Sequence, residues 1–262
     1  MEKVKRIYDF EKKMAEDPNG SEYVLNLDRC NQRCLFCMKK EDILNCKKIT
    51  RESVLREIVK AKKEGYTKID FFGGEPTVFI FLSEAIAFAA EIGLRTALAT
   101  NGTNFASASY AKEFFEKNRK SATKIRISVH SHLSEIHDRI TCVKGSHAKT
   151  MEGISRIIKH TKPTINVVIT TLNQDHLEEI VERMYSMGVR YIKFSCLVMH
   201  GDIVQNKWLF AKPTEYMSQL AKALVLAKKL NFEFIGLEKF PRRLFSVMID
   251  TGIDWVVPVE LV

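Results

Sequence analysis

From Tyr23 onward the chain alternates short runs of β-branched and aromatic residues with longer amphipathic stretches. That alternation predicts repeated βα units and a parallel sheet, because helical crossovers are what join parallel strands. Six strands are predicted, at residues 23–27, 68–72, 95–100, 124–129, 164–171 and 191–195, with helices at 51–64, 81–92, 107–118, 146–160 and 176–187 between them. Thr50 and Ser53 stand where a helix start would be capped, and Gly65, Gly93 and Gly188 where three of the helices would end. Six such units fit either a partial barrel or an open doubly wound sheet, and periodicity leaves both open.

The pattern changes on both sides of this repeat. Residues 1–22 read as a charged, helical lead-in broken at Pro18-Asn19-Gly20. Beyond Leu197, His200-Gly201-Asp202 is loop-like, residues 213–230 form an amphipathic helix with a Pro-Thr start, and residues 232–237 suit a seventh strand. The tail from Pro241 is apolar but short. With no Gly-, Ser- or Pro-rich linker, the chain is taken as one domain: a lead-in at 1–22, a core at 23–197, and an extension at 198–262 that shapes the substrate side.

Composition narrows the setting. The 262 residues are 45% hydrophobic and 28% charged, ordinary for a globular protein with a sizeable core. Neither an apolar leader nor a run of about 18 apolar residues is present, so a cytoplasmic location without a membrane segment is expected. Six cysteines, three clustered and Cys46, Cys142 and Cys196 scattered, do not resemble a secreted disulfide framework. The net charge of +9 implies acidic partners. No basic stripe interleaved with aromatics singles out nucleic acid, which stays compatible but not favoured beside an acidic peptide or nucleotide.

The candidate chemistry begins at Cys30, Cys34 and Cys37, spaced C-x3-C-x2-C just past the first strand. Three thiolates suit an iron–sulfur cluster with one iron left open; a zinc site lacking its fourth ligand and three unrelated buried thiols are the alternatives. About forty residues on, the second strand runs into Phe71-Phe72-Gly73-Gly74-Glu75-Pro76. Glycines there let the backbone approach a ligand, and a carboxylate accepts from an ammonium group.

Taken together, the cysteines with Phe36 before the third of them and the Gly-Gly-Glu-Pro strand end resemble the radical S-adenosylmethionine (radical SAM) superfamily, over roughly residues 23–197. The resemblance implies a partial (β/α)6 barrel of TIM type, a 4Fe-4S cluster on Cys30, Cys34 and Cys37, and S-adenosyl-L-methionine (SAM) chelated to the fourth iron. It implies reductive cleavage of SAM to a 5′-deoxyadenosyl radical that removes a hydrogen atom from a substrate, with electrons from a flavodoxin- or ferredoxin-like donor. By matching positions, Gly73, Gly74 and Glu75 would meet the methionine amino group. Ser128, Thr100 or Asn101 would bond the ribose or carboxylate, and Arg139, in His137-Asp138-Arg139, would pair with the SAM carboxylate. His130 and His132 are candidates for substrate contact or proton movement. Asn166 and Lys193 are candidates for the barrel interior, which pleat register decides.

Departures from the larger relatives shape the expectation further. No cysteine follows Cys196, so a single cluster is expected, and B12-dependent methylation through an N-terminal cobalamin domain is not expected. The basic surface suits the acidic leader of a ribosomally made peptide or a protein as substrate. A small metabolite, cofactor precursor or tRNA base is the alternative, and a non-catalytic iron–sulfur protein on the same fold is the reading from outside enzymology.

Overall fold

The computed structural model describes residues 22–27, 29–38, 49–198, 201–240 and 257–261. The lead-in up to residue 21, Cys46, His200 and most of the tail from Pro241 lie outside the described residues. Eight strands form one parallel sheet in chain order: β1 (Glu22–Leu27), β2 (Lys68–Gly73), β3 (Arg95–Thr100), β4 (Lys124–Ser128), β5 (Thr164–Val168), β6 (Tyr191–Ser195), β7 (Phe234–Phe240) and β8 (Val257–Leu261). The helices are α1 (Arg51–Lys63), α2 (Leu82–Glu91), α3 (Ala108–Lys117), α4 (Ser134–Thr141), α5 (Ser146–Ile157), α6 (Leu177–Ser186) and α7 (Pro213–Lys229). This is the expected α/β architecture of a partial TIM-type barrel, extended by the predicted seventh strand and by an eighth that the pattern does not announce.

Strand alternation separates two faces. Ile69, Phe71, Leu98, Ile125, Ile127, Ile165, Val167, Ile192, Phe194 and Leu237 are all at most 2% exposed and belong to the core that also holds Ile58, Ile86 and Ile154 from the helices. Each such side chain contributes about 1.5–3 kcal/mol of transfer free energy. The intervening positions are mostly polar or small, with Phe72 and Val168 as apolar members. Register aligns Ala99 with Arg126, Ser128 with Asn166 and Lys193, and Val168 with Ser195 and Glu238, so one pleat phase carries polar groups across four neighbouring strands. Asn166 and Lys193, whose facing the sequence leaves open, both belong to it.

Helix ends follow the chain's punctuation. Thr50 caps α1 with a reciprocal capping box to Ser53, and Gly65, Gly93 and Gly188 take positive φ just past α1, α2 and α6. The missed helix is α4, in a stretch that reads as a polar loop. His137, Ile140 and Thr141 are its buried residues, a helical i, i+3, i+4 stripe disguised by a histidine that scores as polar. Asp138 caps the next helix, its carboxylate accepting from Gly145 N (2.5 Å), His147 N (2.8 Å) and Ser146 Oγ (2.9 Å).

Two contacts fix this corner. Helix α5 packs on the turn Thr103–Ala106 through Gly153, where a Cβ would lie 2.2 Å from the Gly102 carbonyl oxygen. Behind β4, the rings of His130 and His137 stack at 5.6 Å and those of His137 and His147 meet at 5.4 Å. The His130 N–H donates to His137 Nδ1 at 3.3 Å, which leaves the His137 proton on Nε2. Burial, reinforced by the neighbouring imidazole, pushes His130 down to about 3 and His137 to about 4.

Gly153→Ala is expected to destabilise the fold by about 1–3 kcal/mol through overpacking against backbone, read as a lower denaturant midpoint with unchanged slope; an unaltered midpoint refutes the contact. The two histidines bind protons in the unfolded chain near pH 6.5 but not in the fold until far lower. Their neutral burial is therefore fully compatible with stability above pH 6.5, and stability falls as pH drops through the window from 6.5 towards 4, by at most about 1.4 kcal/mol per pH unit for each proton. Denaturant titrations across that window should show a shallower acid slope for His137→Gln than for the parent chain.

Candidate functional site

The cysteines sit on the loop leaving β1, and that loop is held by backbone on two sides. Arg33 N donates to Thr141 O at 3.0 Å and Leu35 N to Ile140 O at 2.9 Å, so the carbonyls ending α4 act as its anchor. From the opposite side, Asp202 N donates to Cys37 O at 3.0 Å and Asn206 Nδ2 to Leu35 O at 2.9 Å. Gly201 permits this approach, since a Cβ there would fall 2.5 Å from Cys37 O. The turn closes on itself through Cys37 N to Cys34 O at 3.0 Å.

Gly73 and Gly74 bring the end of β2 against the same loop. Their N–H neighbours are spent on it: Gly74 N donates to Leu27 O at 2.5 Å and Glu75 N to Arg29 O at 2.6 Å. A Cβ on Gly73 would lie 2.4 Å from Leu27 N, and one on Gly74 2.2 Å from Arg29 O. Gly73 also takes a φ of +112°, open to glycine alone. The glycines thus serve strand-to-loop packing whatever else they contact.

Glu75 is 1% exposed. Its Oε1 accepts from Thr77 N (3.1 Å), Thr77 Oγ1 (2.5 Å) and Thr100 Oγ1 (2.6 Å), and its Oε2 from Asn101 N (2.6 Å). Burial pushes its pKa up against those hydrogen bonds, which favour the ionised form. Asn101 continues the network: its Nδ2 donates to Asn31 Oδ1 at 2.7 Å, and Asn31 Nδ2 donates to Thr103 Oγ1 at 2.9 Å. The ends of β2 and β3 and the cysteine loop are thereby one hydrogen-bonded unit.

A cavity of about 230 Å³ opens at the carboxyl ends of the strands. Around it stand Cys30, Cys34, Phe36 and Cys37, then Gly73, Gly74 and Glu75, then Thr100, Asn101, Ser128, His130 and Asn166. His130 meets Phe36 edge to face at 5.0 Å. The structure does not bring Arg139 or His132 to this cavity. Arg139 is exposed on the outer side of α4, over the Trp208 ring at 5.6 Å, because the helical stripe turns His137 and Ile140 inward instead. His132 lies beside His176, ring centroids 5.5 Å apart.

Sequence reasoning missed several lining groups: Gln32, Arg126, Ser195, Glu238 and Lys239. Arg126 pairs with buried Asp70 and Lys193 with Glu238. Ser195 Oγ, with one proton to give, donates to Asn166 Oδ1 at 2.7 Å and lies 3.2 Å from Glu238 Oε2. Burial raises the Glu238 pKa, but Lys193, Lys239 and Arg126 outweigh it and hold the carboxyl below its ordinary range. A charged residue inside a strand of otherwise apolar alternation is the signal that would have found Arg126, Glu238 and Lys239.

The donor set suits an iron–sulfur cluster. Among the described residues no three Cys, His, Asp or Glu side chains converge on one ion, whereas the three thiols share one cavity wall, as ligands on separate irons would. Burial raises the Cys30 thiol to about 11 and Cys34 further, so both are neutral thiols until a metal displaces the proton. Two buried polar atoms of the cavity lining, Gln32 Nε2 and His130 Nδ1, have no partner among the described residues.

Comparison with known proteins agrees with this geometry. The radical SAM superfamily profile matches residues 27–184. A GTP 3′,8-cyclase from Syntrophomonas wolfei is 32% identical over 177 residues, 64% of this chain and 52% of that protein. A PqqA peptide cyclase from Ruegeria pomeroyi is 26% identical over 215 residues, 79% of this chain and 56% of that protein. Among solved structures, Streptococcus suis SuiB bound to precursor peptide SuiA superposes with a TM-score of 0.69 at 14% identity, covering 99% of this chain and 61% of that one. The chain spans about a third to a half of the length of the curated relatives it matches first. With its profile match running through the cysteine loop, the Gly-Gly-Glu strand end and the sheet that gathers them, the chain belongs to the radical SAM superfamily, whose members use a 4Fe-4S cluster and SAM.

Proposed function

We propose that this chain is a radical SAM enzyme that cleaves SAM reductively and takes a hydrogen atom from a substrate held against β5, β6 and β7. One observation carries the reading: the cysteine triad, the Gly-Gly-Glu end of β2 and a polar row on β4 to β7 face a single cavity. When bound, cluster and SAM supply one-electron cleavage of a sulfur–carbon bond and the carbon radical that abstracts hydrogen.

The chain's own residues would do the rest. Cys30, Cys34 and Cys37 would hold three irons. Glu75 Oε2, which accepts one hydrogen bond where Oε1 accepts three, keeps lone-pair capacity for the methionine ammonium. Gly73 and Gly74 would bring backbone carbonyls to the same group. Thr100, Asn101, Ser128 and Asn166, which line the cavity, would bond ribose or carboxylate, and His130, its pKa lowered by burial, would offer a hydrogen bond rather than a charge. Arg139 keeps no part in this scheme, being outside the cavity. A flavodoxin- or ferredoxin-like carrier would deliver the electron.

For the substrate, a nucleotide is the reading we adopt over the peptide that overall basicity suggests. Arg126, Lys193 and Lys239 on the cavity wall suit phosphates, and the GTP 3′,8-cyclase is a relative above 30% identity. The second reading, a ribosomally made peptide, is supported by the PqqA peptide cyclase and by the net charge of +9. No described helix is long and apolar enough to cross a membrane.

Anaerobically reconstituted protein given dithionite and SAM should form 5′-deoxyadenosine, and Cys34→Ala should bring it to background; cleavage that survives in the variant would sink the assignment. Addition of GTP should then speed cleavage more than an acidic peptide does, the reverse order selecting the second reading. The double variant Lys193→Met, Glu238→Gln removes a buried ion pair without stranding either charge. It should lower the substrate-stimulated rate by about tenfold or more, the scale of one charge-assisted hydrogen bond, while the cluster's absorption spectrum is retained.

A further inference from the structure

Of the three residues between Cys30 and Cys34, Asn31 and Arg33 are exposed, and Gln32 is the buried one, 8% exposed and lining the cavity. It touches two of the three cysteines. Its backbone N–H donates to Cys30 Sγ at 3.4 Å, and its side-chain Oε1 accepts from the Cys34 thiol at 3.7 Å. The other half of that amide, Nε2, is buried and has no partner among the described residues.

This arrangement suits a protonated thiol and no other state. A cysteine that ligates iron has lost its proton, so the S–H that Oε1 now accepts disappears and a negative sulfur faces a carbonyl oxygen. Two acceptors then oppose each other in a low-dielectric pocket. Half a turn about the terminal torsion of glutamine exchanges Oε1 for Nε2 in nearly the same volume, and that torsion is broad and roughly two-fold. The exchange gives the orphaned N–H an acceptor and the sulfur a donor.

We propose that the Gln32 side-chain amide donates an N–H···S hydrogen bond to Cys34, or to the cluster sulfide beside it, and so sets the cluster's reduction potential. The inference rests on the cysteine triad holding the cluster. One-electron reduction adds negative charge to the cluster, and a donor aimed at its sulfur stabilises the more negative state, which moves the potential upward. Gln32 is a positioning residue in this scheme, acting through the cluster and touching no substrate.

The test compares parent protein with Gln32→Met, unbranched and of similar length but without a donor, and Gln32→Glu, which replaces the donor by an acceptor. Iron content and absorption first establish the cluster in each; a parent protein that takes up no iron overturns the triad reading and this inference with it. Redox titration followed by electron paramagnetic resonance should then place the potential highest in the parent, lower in Gln32→Met and lowest in Gln32→Glu. Equal potentials in all three overturn the proposal even if SAM cleavage is intact. Should neither variant hold a cluster, the parent decides alone. With 15N in the glutamine side-chain amide, only Gln174, Gln205 and Gln219 share the label. Pulsed resonance of the reduced cluster should show a 15N coupling, and its absence refutes the hydrogen bond.

Discussion

A single buried carboxylate organises the active face. Glu75 collects donors from its own turn and from the end of β3, and through Asn101 and Asn31 the same network reaches the loop that carries the cysteines. A carboxyl group so far from water is tolerated because four donors meet it, and those donors pin two backbone segments, its own turn and the end of β3. The glycines before it have a complementary role. By lacking Cβ atoms they let the end of β2 lie directly on Leu27 and Arg29, and that is what sets the distance between the thiols and the floor of the cavity.

The fold was largely legible because its repeat is strict. Each predicted strand of the core appears within a few residues of its expected ends, and the capping threonine and terminal glycines stand where helices begin and stop. What escaped was governed by tertiary context. Helix α4 was hidden because His137 is buried as a neutral imidazole among other histidines, a state that no hydropathy scale assigns to it. The eighth strand was hidden because a short apolar tail carries no period of its own.

The site was legible at its motifs and dark between them. The cysteines, Gly73, Gly74, Glu75, Ser128 and Asn166 gather at one cavity, but Arg139 and His132 stand outside it, since adjacency in a polar stretch says nothing about which way a helix faces. Conversely, Lys193 and Glu238 lie in strands whose apolar neighbours dominate the pattern, and only the register of β6 with β7 reveals that they meet. The readings of Gly73 and Gly74 as ligand contacts and as packing devices also prove compatible rather than rival. The packing is visible in the backbone, and it leaves the strand end at the cavity edge.

The way the cysteine loop is held has a temporal side. Its amide groups are satisfied by Thr141 and Ile140, and its carbonyl groups by Asp202 and by Asn206, which lies 171 residues beyond Leu35. Ribosomes build chains from the amino end, so the thiols emerge long before the segments that shape them. Until synthesis has passed Asn206 the loop lacks the donors that hold its carbonyl groups, and the cysteines remain three separate thiols. Maturation of this protein is thus tied to synthesis of the segment that carries Asp202 and Asn206, and iron delivered earlier would meet ligands without a mould.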